Sequence, residues 1–238
     1  MIYMGSKNKI AKQLVPILKE YQKNHEWYVE PFCGGCNVID KIEGNRIAAD
    51  INPYLISMWK YLVKGWQPPH ITEDQYHYVR THKDRFFTHY VGSVGFISSF
   101  RGKFFGGVIK PVYQNERWRD YQQEQINNVM KQIPNLKDVW FQCNTYDHVG
   151  IPSDSLIYCD PPYKGTTGYY HDFDHESFWT WCREKEAKGS TVLISEYEAP
   201  DDFEVVWSMP LKSSMSINGS GGVWKYTTEK LFRYKGKI

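Results

Sequence analysis

The chain has 238 residues and carries 29 Lys and Arg against 27 Asp and Glu, a formal net charge of +2. That length suits one large domain, or one domain with a smaller insert, and a hydrophobic fraction of 41% supplies a sizeable core. The near-neutral balance argues against a uniformly cationic nucleic-acid binder, the five scattered cysteines (Cys33, Cys36, Cys143, Cys159 and Cys182) against a disulfide-stapled scaffold, and the lack of a long apolar run against a membrane span.

Over 1–12 the chain is polar and basic, without the apolar stretch of a signal peptide, so a cytosolic protein with reduced thiols is expected. Ile10, Leu14, Ile17 and Leu18 share one face of a helical pattern across 7–21. A short apolar strand follows at 26–30. Pro31 and the Gly34-Gly35 pair stop it, and a short helical segment fits 37–43. Residues 46–50 read as a second buried strand that ends in Asp50. A strand that runs into a glycine turn lets the backbone approach an adenosine-containing cofactor closely. An acid closing the next strand, 16 residues after Gly34, can accept hydrogen bonds from ribose hydroxyls. Either feature alone reads as an ordinary turn; the two together favour a nucleoside cofactor. Cys33-Gly34-Gly35-Cys36 also spells a CxxC. No second CxxC and no spaced His pair accompanies it, so no metal is expected.

From 64 to 137 the alternation of strand and helix stops. This segment is rich in His, Tyr, Arg and Gln and reads as an inserted, largely helical subdomain, which leaves 1–63 and 138–238 as the catalytic domain. Between 80 and 119 eight basic residues stand against two acidic ones, a surplus of six positive charges. Phe100-Arg101-Gly102-Lys103-Phe104-Phe105-Gly106-Gly107 interleaves aromatics, bases and glycines, which suits phosphate contact and wedging or stacking at an extruded nucleotide. Arg101, Lys103, Phe104, Arg117 and Arg119 are the candidate DNA contacts.

Residues 155–159 form a third apolar strand, and Asp160-Pro161-Pro162-Tyr163 follows it directly. A helix is expected at 176–187, closed by Gly189, then a strand at 191–195. Segments 203–207 and 223–234 flank a Gly/Ser/Asn loop and read as an antiparallel pair at the sheet edge. Strands alternating with helices imply an α/β fold with a mostly parallel sheet covered on both faces. Asp160-Pro161-Pro162-Tyr163 then lies at the carboxyl edge, where such sheets bind ligands. Its two prolines fix φ and remove two N–H donors, leaving a stiff rim of acceptors: the Asp160 carboxylate and a proline carbonyl. A ring-conjugated amine such as N6 of adenine is a poor nucleophile. Acceptors on its two N–H bonds favour the tetrahedral geometry that attacks a methyl donor. Tyr163 can stack on the base, worth about 1–3 kcal/mol, against the few kcal/mol needed to extrude it.

In the order and spacing of its motifs the chain resembles the Dam-type (alpha-group) N6-adenine DNA methyltransferases. Tyr3-Met4-Gly5-Ser6-Lys7 is similar to the family's aromatic-x-Gly-x-Lys segment, residues 30–36 to Glu-Pro-Phe-x-Gly-x-Gly, and Ala49-Asp50-Ile51-Asn52 to its ribose-binding segment. Ser214-Met215-Ser216-Ile217-Asn218-Gly219 resembles its C-terminal hairpin. The resemblance implies a Rossmann-like methyltransferase sheet that binds S-adenosylmethionine and releases S-adenosylhomocysteine without a metal. Tyr3, Lys7, Glu30, Pro31, Phe32, Gly34, Gly35, Asp50 and Asp160 become the expected cofactor contacts, and Asp160, Pro161, Pro162 and Tyr163 the expected catalytic set. Double-stranded DNA is the expected substrate, read by the 64–137 insert. The protein is expected to be a cytoplasmic monomer, associated with the nucleoid through DNA, and a cognate restriction enzyme is a candidate partner. Asp rather than Ser or Asn at 160 favours adenine over cytosine N4. RNA as acceptor, and a non-catalytic DNA-binding module, are the alternative readings. One departure stands out: Cys36 replaces a glycine of the family pattern, where a side chain can crowd the methionine part of the cofactor.

Overall fold

The computed structural model describes residues 1–163, 173–213 and 225–236. Its helices and strands are, in chain order, α1 (Ala11–Gln22), β1 (Trp27–Glu30), β2 (Asn45–Asp50), α2 (Pro53–Val63), α3 (Glu73–Thr81), α4 (Thr88–Phe96), β3 (Val112–Gln114), β4 (Arg117–Arg119), α5 (Tyr121–Gln132), β5 (Val139–Cys143), β6 (Ser155–Cys159), α6 (His175–Ala187), β7 (Thr191–Glu196), β8 (Phe203–Ser213) and β9 (Lys225–Tyr234). Seven strands make one sheet in the order β5-β2-β1-β6-β7-β9-β8. The first five are mutually parallel, and β9 runs antiparallel to both β7 and β8. The fold is thus a doubly wound, Rossmann-like sheet with an antiparallel edge hairpin, as expected. Chain order reverses between β1 and β6, so the crevice at their carboxyl ends is the topological switch point.

Strand alternation sorts side chains between two cores. Tyr28, Ala48, Leu156, Tyr158, Leu193 and Leu231 face α1, α2 and α5, joining Leu14, Trp59 and Val129. Val29, Ile47, Ala49, Ile157, Cys159, Val192, Ile194 and Phe232 face the other way, onto Phe178 and Trp181 of α6. Each large side chain so buried contributes about 1.5–3 kcal/mol. The helices begin where side chains cap them. Asn52 accepts from the N–H groups of Tyr54 and Leu55 ahead of α2, and Asp174 from those of Glu176 and Ser177 ahead of α6. Gly189, at φ 92°, turns the chain out of α6 into β7.

Some expected elements differ. Lys7–Lys9 form a separate 3-10 turn ahead of α1. The helical segment at 37–43 reduces to one 3-10 turn, Ile39–Lys41, because residues before it are spent in a tight turn with Gly34 and Cys36 both at positive φ. The segment 64–137 divides between two cores. Ile71, Tyr76, Val79, Val91, Val94 and Phe105 form a small cluster of their own, whereas Phe96, Ile97, Ile126, Val129 and Ile133 belong to the main one. This largely helical segment also contains the β3–β4 hairpin, turned at Asn115 and Glu116 with φ 51° and 60°, the sign that a two-residue turn between twisted strands requires. Among the described residues no helix is long and apolar enough to cross a membrane.

Candidate active site

Because the alternation continues past the core, acidic residues on the α1 face rise onto the carboxyl edge. Glu30 stands two residues beyond Tyr28, Asp50 two beyond Ala48, and Asp160 two beyond Tyr158. The antiparallel β9 enters at the same edge, with Lys230 opposite Glu196 at the end of β7. Glu229, two residues before Leu231, therefore faces the same side. One cation, Lys7, pairs with two of these acids. The Lys7 ammonium lies 2.9 Å from Asp160 Oδ1 and 3.1 Å from Glu229 Oε1. It donates to the Tyr163 hydroxyl at 2.5 Å and sits 4.4 Å from the centre of that ring. The Tyr163 hydroxyl in turn donates to Glu229, and the Tyr197 ring meets Tyr163 edge-on at 4.7 Å. Pro161 is buried, and Pro162 is half-buried.

Titration follows from this placement. Burial opposes the charge on Lys7, but the Asp160 and Glu229 carboxylates outweigh it and push its pKa up to about 12. Burial also raises Asp160, against the pull of Lys7 and with a further push from Glu229. Glu30, deep at the end of β1, is pushed up to about 8 by burial, although the Tyr28 hydroxyl donates to it at 2.7 Å. Burial lifts Asp50 to about 6 against two backbone donors, the N–H groups of Asn52 at 2.9 Å and Gly34 at 3.2 Å.

The glycine turn is clamped from several sides. The Gly34 carbonyl accepts from the Trp59 indole at 3.0 Å. The Gln132 amide, from the end of α5, donates to the Gly35 and Cys36 carbonyls at 3.1 and 2.7 Å. Tyr3 closes over the turn: a Cβ on Gly34 would come within 2.7 Å of its ring, and one on Gly35 within 2.7 Å of its Cβ. Tyr3 then packs at 5.8 Å on Phe96. Pro31 is buried, and Phe32 turns towards α6, stacked on Tyr146 at 5.6 Å. Cys36 is fully buried in the main core at φ 53°, a conformation that costs backbone strain in a non-glycine residue. Both Cys33 and Cys36 are free thiols pushed up by burial. Among the described residues no three His, Cys, Asp or Glu converge as a metal site.

The sequence-predicted DNA contacts separate. Arg101 and Lys103 are exposed on a turn packed against the N-terminal segment, where a Cβ on Gly102 would meet the Ile2 carbonyl at 2.2 Å. Phe104 instead packs inward, stacked on Tyr54 at 5.2 Å and 4.9 Å from Phe96. Arg117 is exposed on the β3–β4 hairpin beside an exposed Tyr113–Trp118 cross-strand pair. Arg119 is engaged by Glu124 through two bonds, at 3.0 and 2.6 Å. The 214–219 motif lies outside the described residues. Glu229, Trp59 and Gln132 were not singled out from the sequence; for Glu229 the available signal was an acid at an inward position of the alternating 227–231 run.

Comparison with known proteins identifies the family. The family described as D12 class N6 adenine-specific DNA methyltransferase matches residues 3–208. Over 221 residues the chain is 26% identical to the Type II methyltransferase M.FokI of Planomicrobium okeanokoites. Over 215 residues it is 27% identical to the Modification methylase StsI of Streptococcus sanguinis. These alignments take in 80% and 78% of this chain but 32% and 31% of those proteins, so the chain spans about a third of the length of the curated relatives it matches.

Proposed function

The chain belongs to the D12 class N6 adenine-specific DNA methyltransferase family, and we propose that it transfers the methyl group of S-adenosylmethionine to N6 of an adenine extruded from duplex DNA. The observation that carries this reading is the place of Asp160-Pro161-Pro162-Tyr163, at the carboxyl end of β6, across the switch point from the glycine turn that follows β1.

Asp160 and Glu229, which share Lys7, and Asp50, which is held by two backbone N–H groups, make an acidic edge that suits a cationic cofactor. Tyr3, Glu30, Pro31, Phe32, Gly34, Gly35 and Asp50 are the residues we assign to holding it, with Lys7 and Asp160 at its boundary with the acceptor. S-adenosylmethionine supplies a methyl group already activated on sulfur; the protein's part is to orient the amine. The Asp160 carboxylate and the Pro161 carbonyl accept the two N6–H bonds and hold the lone pair towards the methyl group. Tyr163, its hydroxyl held by Lys7 and Glu229, offers a ring for the extruded base to stack on. We assign duplex recognition to 64–137, through Arg101, Lys103 and the β3–β4 hairpin with Arg117 at its exposed end. Arg119 and Phe104 support these contacts from within the protein. The relatives' names favour a modification role beside a restriction enzyme, and we extend that reading to this chain as a soluble, monomeric, cytoplasmic enzyme.

Incubation with tritium-labelled cofactor and duplex DNA, with product nucleosides resolved by mass spectrometry, tests the reading. N6-methyladenine is the expected product. N4-methylcytosine, label in RNA alone, or measured DNA binding with no transfer overturns it.

A further inference from the structure

We propose that Glu229 is a positioning residue of the methyl-acceptor site: it shares the Lys7 ammonium with Asp160 and fixes the Tyr163 hydroxyl, which keeps Asp160 a strong hydrogen-bond acceptor for the amine. This rests on the function proposed above.

Exposure orders the group. The Glu229 side chain is 4% exposed, Lys7 11% and Asp160 21%, so Asp160 stands at the mouth and Glu229 at the closed end. Burying a carboxylate costs several kcal/mol unless it is paired, so a Glu on this inner face of β9 is a poor choice for stability alone. Its partners account for it. One ammonium lies between two carboxylates at nearly equal distances, 2.9 and 3.1 Å, so its charge is divided between them. Without Glu229, Lys7 would serve Asp160 alone, and a carboxylate whose charge is fully claimed accepts N–H bonds less strongly. Glu229 also receives the Tyr163 hydroxyl, which anchors the ring at its far end while Tyr197 supports its edge.

The charged and titratable groups facing Asp160 are Lys7 from the first 3-10 turn, Glu229 from β9, Tyr163 beyond β6, Glu30 from β1, and Tyr158 and Cys159 from β6 itself. Among them Lys7 lowers the Asp160 carboxyl and Glu229 raises it. Removing the Glu229 charge therefore leaves Lys7 unopposed, and Asp160 titrates at lower pH. Removing the Lys7 charge moves it the other way.

The test is a carbon-13 carboxyl titration of Asp160 in the free protein, for the parent, Glu229→Gln and Lys7→Met, alongside the pH profile of methyl transfer. In E229Q the Asp160 midpoint is expected to fall by about one pH unit, the acid limb of kcat/KM to move with it, and kcat to drop more than KM rises. In K7M the midpoint is expected to rise. An unmoved Asp160 midpoint in E229Q, or lost activity with an unmoved acid limb, leaves Glu229 a purely structural residue and overturns the proposal. Should E229Q not fold, a midpoint that fails to rise in K7M overturns it equally. If the parent methylates no duplex, the functional reading falls, while the carboxyl titration still decides for or against the shared lysine.

Discussion

Around Lys7 the charges are buried and already paired, whereas Arg117 on the β3–β4 hairpin and Arg101 on its turn stand in solvent on short or irregular backbone. The first arrangement has its geometry set by seven strands and two cores before any ligand arrives. The second has little apolar contact to hold it. Coulomb attraction is strong and poorly screened in the first, and weak and salt-sensitive in the second. A single change should therefore be costly at the sheet edge and modest at the basic surface, and six substitutions put that contrast at risk.

Asp160→Ala should have the largest effect, a fall in single-turnover methyl transfer of about 10²–10³-fold or more, with cofactor affinity by calorimetry altered far less. A loss below tenfold would mean that the edge is not preorganised in the way its geometry suggests. Next comes Gly34→Ala. At φ 43°, with its new Cβ 2.7 Å from the Tyr3 ring, it should destabilise the protein by about 1–3 kcal/mol in denaturant titrations and weaken cofactor binding.

Glu30→Gln tests the buried edge through pH. The folded-state pKa of Glu30 lies above the ordinary glutamate range, at about 8, so its contribution to stability is full below that range and is lost as pH rises through 8. The parent's Tm should thus decline between about pH 4.5 and 8, and more steeply than that of E30Q, whose side-chain oxygen still accepts from Tyr28. Asp50, raised from 3.8 to about 6, acts with the same sign at lower pH, so a shallower decline that ends by about pH 6 should survive in E30Q. Parallel Tm curves would remove Glu30 from the account.

The smallest effects belong to the surface. Arg101→Ala and Arg117→Ala should each weaken duplex binding by roughly 2–10-fold and lower the slope of log K against log salt by about one, with cofactor binding intact. Arg119→Ala should do less, since Glu124 already claims that guanidinium. Fluorescence anisotropy across a salt series measures all three. Equal affinity for parent and R117A would move the DNA interface off the hairpin.

The same contrast explains what the sequence made legible. Strands β1, β2, β6 and β7 are buried on both faces and read as apolar runs, and α1 and α6 show their periodicity. Asp50 and Asp160 were visible because each ends such a run. The edge strand β5 was not read, since Trp140 is 60% exposed and its alternation resembles a loop. The β3–β4 hairpin was missed because Tyr113 and Trp118 pair on solvent and bury nothing. Glu229 lies 69 positions after Asp160 in the chain, and only the insertion of β9 between β7 and β8 brings the two to one lysine. Phe104 looked like a wedge for DNA because aromatic composition alone does not tell an inward ring from an outward one.

The path of α5 limits how this protein can be re-engineered. The helix starts one residue after the hairpin and runs 12 residues, about 18 Å, to Gln132, whose amide holds the carbonyls of the glycine turn. Specificity swaps between relatives invite exchange of the whole 64–137 segment as a cassette. Such a graft would carry off one of the struts of the glycine turn and replace it with a helix of unmatched length or register. A chimaera joined between Arg119 and Tyr121, so that the host keeps its own α5, should retain cofactor binding where the full exchange loses it.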